Sequence, residues 1–187
     1  MESGAISRCV NWRRVLGCWL EHPAGNGIWF YLLWACAIVG RETWLPVTLA
    51  LLLIHILVVE YPRRELASAL PLAAIGVLLD SVLSYVGFFY FEGYLWAPPW
   101  LAALWLGFAL CLHRSMRFFA RHWVLSVGFG GMGGALSYWS GMKLGAVAFG
   151  LPEWLSVVLI ASMWALLFPL LIALNRIFHA SAPRRMP

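Results

Sequence analysis

Apolar positions fall in six runs along the chain, at roughly 27–40, 44–60, 66–91, 95–113, 122–148 and 154–178, with short polar turns between them. A helix needs about 20 apolar residues to cross a bilayer, so each run reads as a span, the first a short one. The turns carry the residues expected to break helices. Tyr61-Pro62-Arg63-Arg64 closes one side, while Glu92-Gly93 and Leu151-Pro152-Glu153 close the other. Pro98 and Pro99 are tolerated in the first turn of the fourth helix, and Pro169 predicts a kink in the sixth. The pattern predicts an all-α, single-domain integral membrane bundle of six transmembrane helices over residues 27–178, with residues 179–187 a disordered cytoplasmic tail. Residues 1–26 form a cytoplasmic N-terminal segment. Within it Trp12, Val15, Leu16, Trp19 and Leu20 share one helical face. That segment reads either as an amphipathic helix on the inner leaflet or as a disordered tail. Glu21, His22 and Pro23 interrupt it before the apolar core of a signal peptide could form.

Charge sets the orientation. Eleven of the thirteen Lys/Arg fall on one side of the implied membrane: Arg8, Arg13, Arg14, Arg63, Arg64, Arg114, Arg117, Arg121, Arg176, Arg184 and Arg185. Only Arg41 and Lys143 fall on the other. Basic residues flanking spans are retained in the cytoplasm, which places both termini there. The net charge of +5 then belongs beside anionic headgroups rather than nucleic acid, for no basic patch is interleaved with base-reading residues. With 63% hydrophobic residues and 11% charged, a soluble domain is excluded. Trp44, Trp96, Trp154 and Trp123 sit near predicted span ends, as an interfacial indole belt requires.

The chemistry must lie within the bilayer or at its surfaces, because no loop is long enough for a soluble domain. Asp80 is the sharpest candidate. It lies about 21 Å above the cytoplasmic end of the third span, counting at the helical rise from Leu66. A carboxyl at that depth must face protein or water. Ala73, Gly76, Asp80, Ser84 and Gly87 form one small and polar stripe. Gly130, Gly134, Ser137, Gly141 and Gly145 form a matching stripe on the fifth span, with two GxxxG pairs. Ser137 comes out level with Asp80 and Tyr138 one residue higher, so spans three and five are predicted to pack closely, with Asp80 near Ser137 or Tyr138. Asp80 is then either helix-packing glue or a proton site. His55 lies nearer the cytoplasmic end. It reads as a hydrogen-bonded neutral histidine or, with Glu60, as part of an entrance. Lys143 is expected to snorkel to the outer headgroups rather than neutralise Asp80. Arg114, Arg117 and Arg121 form a basic edge that reads as a topology anchor or a headgroup-binding site.

Several constellations are absent from the sequence. There is no HExxH, histidine box, GxSxG or phosphate-cradling loop, so no metal or cofactor is implied and no catalytic residue is assigned. Cys9, Cys18, Cys36 and Cys111 include no CxxC and none lies in an outer turn, so neither disulfides nor structural zinc are expected.

The elements Pro99-Trp100-Leu101-Ala102-Ala103-Leu104-Trp105, then Phe108, and Gly134-Ala135-Leu136-Ser137-Tyr138-Trp139-Ser140-Gly141-Met142-Lys143-Leu144-Gly145-Ala146 resemble an uncharacterised bacterial inner-membrane family, domain of unknown function 2878. The resemblance covers about residues 27–175. It implies proline at position 137, where this chain has Ser137, which removes the reason for a kink there. It makes Trp100 a further candidate in the interior. The family's members tend to be encoded beside fatty-acyl methyltransferases of the cyclopropane-synthase type, flavin amine-oxidase-like proteins and small lipocalin-like proteins. By resemblance, the chain is an accessory component of membrane fatty-acyl modification or stress response, with membrane lipids and soluble lipid-modifying enzymes as partners. The alternatives are a small proton-linked carrier or lipid flippase using Asp80, and an intramembrane enzyme using Asp80 with Tyr138 or His55.

Overall fold

The computed structural model describes residues 12–112 and 114–181. Its elements are the helices α1 (Trp12–Glu21), α2 (Pro23–Gly40), α3 (Leu45–Val58), α4 (Pro62–Tyr85), α5 (Pro99–Leu112), α6 (Trp123–Lys143) and α7 (Glu153–Ser181). A short 3-10 helix, Arg117–Arg121, precedes α6, and two-residue strands β1 (Phe89–Tyr90) and β2 (Ala148–Phe149) lie in the turns. Proline opens α2, α4 and α5 and lies in the first turn of α3, where the missing N–H has no helical partner to lose.

Hydrogen bonds tie the helix ends into two layers. At the arginine-rich end Arg64 donates to the His179 carbonyl (3.1 Å), Arg13 to the Leu57 carbonyl (2.6 Å) and Ser115 to the Pro23 carbonyl (3.0 Å). At the opposite end Arg41 donates to the Gly145 carbonyl (2.7 Å) and the Ala97 N–H to the Ser81 hydroxyl (3.2 Å). There β1 also pairs antiparallel with β2, Phe89 opposite Phe149 and Tyr90 opposite Ala148. Helices α2–α7 therefore run alternately up and down, and α1 packs against α2 and α3.

The apolar runs and the helices do not coincide, and the differences have causes. The fourth run, read as a span over 95–113, is helical only over Pro99–Leu112, and ten of those fourteen residues are buried. At about 21 Å this helix is shorter than the ~30 Å hydrocarbon core, and it is apolar on every face because protein surrounds it. The second run, read over 44–60, likewise yields only the 14-residue α3. The third run leaves its helix at Tyr85 and the fifth at Lys143, ahead of Gly87 (φ +78°) and Gly145 (φ +74°), left-handed positions that turn the chain back. The residues beyond stay apolar because Phe89, Phe91, Ala146 and Val147 are buried in the turns. Residues 179–181, expected in a disordered tail, are the last turn of α7. Residues 1–11, His113 and 182–187 lie outside the described residues.

Three helices, α2, α4 and α7, are long and apolar enough to cross a membrane. The outer surface matches such a setting. Leu53, Leu78 and Leu166, on three different helices, face outward at 57–76% exposure.

Candidate functional site in the bundle interior

Helix α4 places Asp80 at the centre of the bundle, with no exposed surface. The Tyr138 hydroxyl approaches its carboxyl oxygens at 2.7 and 2.8 Å, and the Trp105 Nε1–H donates to it at 2.6 Å. Three helices are thus joined at one carboxyl. Ser137, the other predicted neighbour, points elsewhere: its hydroxyl accepts from Trp34 Nε1 on α2 at 2.9 Å. Ser84 is buried one turn beyond Asp80.

The predicted close packing of α4 on α6 gives way to a different pairing. Helix α6 lies along α7, and α4 lies along α5 and α7. The small residues explain this, because each stripe faces an aromatic ring. A Cβ at Gly76 would lie 2.1 Å from the Trp105 ring, and one at Gly134 would lie 2.1 Å from the Trp164 ring. The two indoles stack on each other, centroids 5.5 Å apart and planes within 8°. A four-deep layer results: Gly76, Trp105, Trp164, Gly134. Gly130 approaches Phe168 of α7 in the same way. Gly141 faces Ile38 and Val147 at ordinary contact distance, and Gly145 serves the turn rather than helix packing.

This aromatic layer forms the wall of a cavity of about 170 Å³ between α2, α5, α6 and α7. Trp34, Trp105, Ser137, Tyr138 and Trp164 line it, and its surface is almost wholly apolar. Met116 and Phe129 border it toward the arginine-rich end, and Phe91 and Trp100 toward the other. Along α6 it extends from Phe129 to Gly141, about 18 Å at the helical rise. Helices α2 and α6 both contribute to its lining, and the Trp34–Ser137 hydrogen bond links them there. Trp100 is buried and meets Phe91 edge-on (6.1 Å, 77°). Asp80 is not among the lining residues; it stands behind Trp105 and Tyr138 and fixes both.

Trp100, Trp105, Ser137 and Tyr138 all lie within residues 23–170, which match the sequence model of a family described as "Protein of unknown function (DUF2878)". The chain belongs to the DUF2878 family. No curated protein and no solved structure matches it. The matched region opens at Pro23, the first residue of α2, and ends inside α7, so α1 lies outside the DUF2878 region.

The DUF2878 chain has a second polar cluster at its arginine-rich end. Arg114 forms a two-pronged ion pair with Glu65 of α4, at 2.7 and 2.9 Å, and both side chains are largely buried. Arg114 is therefore a partner to Glu65 rather than an open headgroup ligand. Arg117 and Arg121 on the 3-10 helix are exposed. His55 is fully buried and packs against Trp29, ring centroids 4.5 Å apart. The hydrogen-bonded reading of His55 does not hold, because among the described residues its ring nitrogens meet no hydrogen-bond partner; Glu60 is exposed.

At the opposite end Lys143 pairs with Glu153 at 2.8 Å, both half-exposed and away from Asp80, and Trp139 Nε1 donates to the same carboxylate (2.7 Å). Arg41, Glu42 and Glu92 line a separate pocket there, of about 460 Å³. The Tyr94 phenol is held above its ordinary range, first by desolvation, then by the charge of Glu42 and a hydrogen bond to it. Among the described residues no group of three or more His, Cys, Asp and Glu could hold a metal ion.

Trp34, Trp164 and Glu65 were not singled out from the sequence, and Trp105 entered only as the end of a family element. For the indoles a signal was available, since a tryptophan in mid-helix usually finds an acceptor; Trp34 and Trp105 do, while among the described residues Trp164 Nε1 meets none and its ring lies against Gly134.

Proposed function

We propose that this DUF2878 protein is a six-span protein of a bacterial inner membrane, both termini cytoplasmic, that holds a lipid acyl chain in the groove between α2 and α6. It would act as an accessory component in membrane fatty-acyl handling. The single observation that carries this reading is the shape and lining of the groove. Ligand sites for compact, drug-sized molecules usually hold ~300–1,000 Å³. This groove holds about 170 Å³ drawn out over some 18 Å of α6, slender and apolar. Half of a ~30 Å hydrocarbon core is about 15 Å, the depth of one leaflet's acyl chains. Aromatic faces offer such a chain dispersion contacts and no hydrogen bonds to compete for.

Gly133 provides the test. It lines the groove, and a Cβ there would meet only Phe129, at 3.9 Å. Gly133→Phe should fill the groove without displacing the helices. Native mass spectrometry of the purified protein should show bound lipid on the wild type and its loss in this variant. In cells, deletion should change the acyl composition of the membrane, restored by wild type and not by Gly133→Phe. An unchanged lipid profile on deletion, with equal lipid on both purified proteins, would sink the proposal.

A proton-linked carrier built on Asp80 is the second reading. One contact favours it: Tyr138 both lines the groove and bonds Asp80. Asp80→Asn separates the two readings, as argued below.

A further inference from the structure

Three cavities meet at Phe91. It borders the apolar groove, the pocket of about 460 Å³ that contains Arg41, and a further pocket of about 540 Å³ at the α6–α7 turn. Trp100 borders both the groove and the Arg41 pocket. Phe91 and Trp100, both buried and edge-on to each other, form the wall the two cavities share, and a molecule with a polar head and an apolar tail occupies both when these rings part.

The charges in the Arg41 pocket are one guanidinium, Arg41, against two carboxylates, Glu42 and Glu92. Glu153, in the neighbouring pocket, is already matched by Lys143. Arginine offers five N–H donors in a planar fork suited to phosphate, and Arg41 directs Nη1 to the Gly145 carbonyl. Arg41 also holds a left-handed backbone conformation (φ +47°), the only non-glycine residue among those described to do so. A headgroup with a net negative charge would add a third anion to one cation. A headgroup carrying phosphate and an ammonium group would satisfy both signs.

We infer that the Arg41 pocket seats the headgroup of a zwitterionic phospholipid, phosphate on Arg41 and ammonium on Glu42 and Glu92, with one acyl chain in the groove. This rests on the acyl-chain reading above and adds headgroup selectivity to it. The lipid enters from the leaflet at the arginine-poor end, with its tail directed toward Phe129.

Competitive native mass spectrometry tests it, using four probes that carry the same type of acyl chain: phosphatidylethanolamine, phosphatidylcholine, phosphatidylglycerol and the uncharged monoacylglycerol. A hydrogen bond to a charged group contributes about 1.5–3 kcal/mol, so phosphatidylethanolamine, whose ammonium can donate one, should bind the wild type about tenfold or more tighter than phosphatidylglycerol. Phosphatidylcholine, whose quaternary ammonium donates no hydrogen bond and reaches the carboxylates through charge alone, should rank between the two. The double variant Glu42→Gln/Glu92→Gln should bring zwitterionic and anionic lipids to parity. Arg41→Gln should weaken all three phospholipids while monoacylglycerol is unchanged. Equal binding of phosphatidylglycerol and the zwitterions to the wild type overturns the headgroup inference and leaves the groove standing. Failure of all four probes, monoacylglycerol included, overturns the groove reading itself.

Discussion

At the scale of single residues, Asp80 is a support for two aromatic side chains. Its carboxyl bonds Trp105 and Tyr138, and those two rings form part of the groove wall. Asparagine can keep both contacts: with its oxygen at the Oδ2 position it accepts from Trp105 Nε1 and from the Tyr138 hydroxyl. Leucine can reproduce neither and strands two buried donors, at about 1–3 kcal/mol each. Asp80→Asn should therefore fold, bind lipid and restore the acyl profile of a deletion strain. Asp80→Leu should unfold on the order of 10 °C lower in a thermal melt. Failure of Asp80→Asn to complement, despite an unchanged melt, would favour the proton-linked reading instead. The sequence made Asp80 conspicuous, a lone acid in an apolar run. It could not choose between Ser137 and Tyr138, because helical rise gives depth while the ~100° between successive residues decides which neighbour a side chain meets. Ser137 turned to Trp34, and Tyr138 to Asp80.

At the scale of elements, legibility followed burial. The lipid-length helices α2, α4 and α7 show in hydropathy because lipid requires length. Helix α5 shows equally strongly for another reason, enclosure by protein, and hydropathy cannot tell the two apart. The glycine stripes were also visible, but GxxxG states only that something approaches closely, and here it was Trp164 and Phe168 of α7. The Glu65–Arg114 pair, which joins α4 to the end of α5, was hidden because Arg114 reads as one more topology-setting arginine. Its burial makes a firm prediction. Glu65→Gln leaves a guanidinium at 12% exposure without its carboxylate, and breaking such a pair costs about 3–5 kcal/mol. Arg117→Gln and Arg121→Gln, both at exposed positions, should stay within about 0.5 kcal/mol of wild type. Thermal melts of the three variants in one detergent would check this. Equal melts for Glu65→Gln and Arg121→Gln would show that the buried pair does not hold α4 to α5.

At the scale of the molecule, the two ends differ in kind. One end gathers Arg13, Arg64 and Arg114 into contacts that clamp helix termini, and the other presents a pocket of mixed charge around Arg41. The proposed orientation, from the positive-inside rule, puts the clamped end in the cytoplasm and turns the pocket outward. The proposed lipid then comes from the outer leaflet, so orientation and function stand on one axis. The short helices add a constraint. Helix α3 spans about 21 Å yet exposes Val47, Leu49, Leu53, Ile54 and Leu57, so a ~30 Å core must thin beside it or its flanking residues must reach outward. Membrane-impermeant maleimide labelling decides the orientation. In a background with the native cysteines replaced, a cysteine at Glu92 should label in cells whose inner membrane is intact. A cysteine restored at Cys18, an exposed position on α1, should label only after that membrane is opened. The reverse pattern would place the Arg41 pocket at the inner leaflet. The headgroup would then have to be supplied from the cytoplasmic side, where soluble lipid-modifying enzymes work, and the outward-facing assignment of the groove would fall.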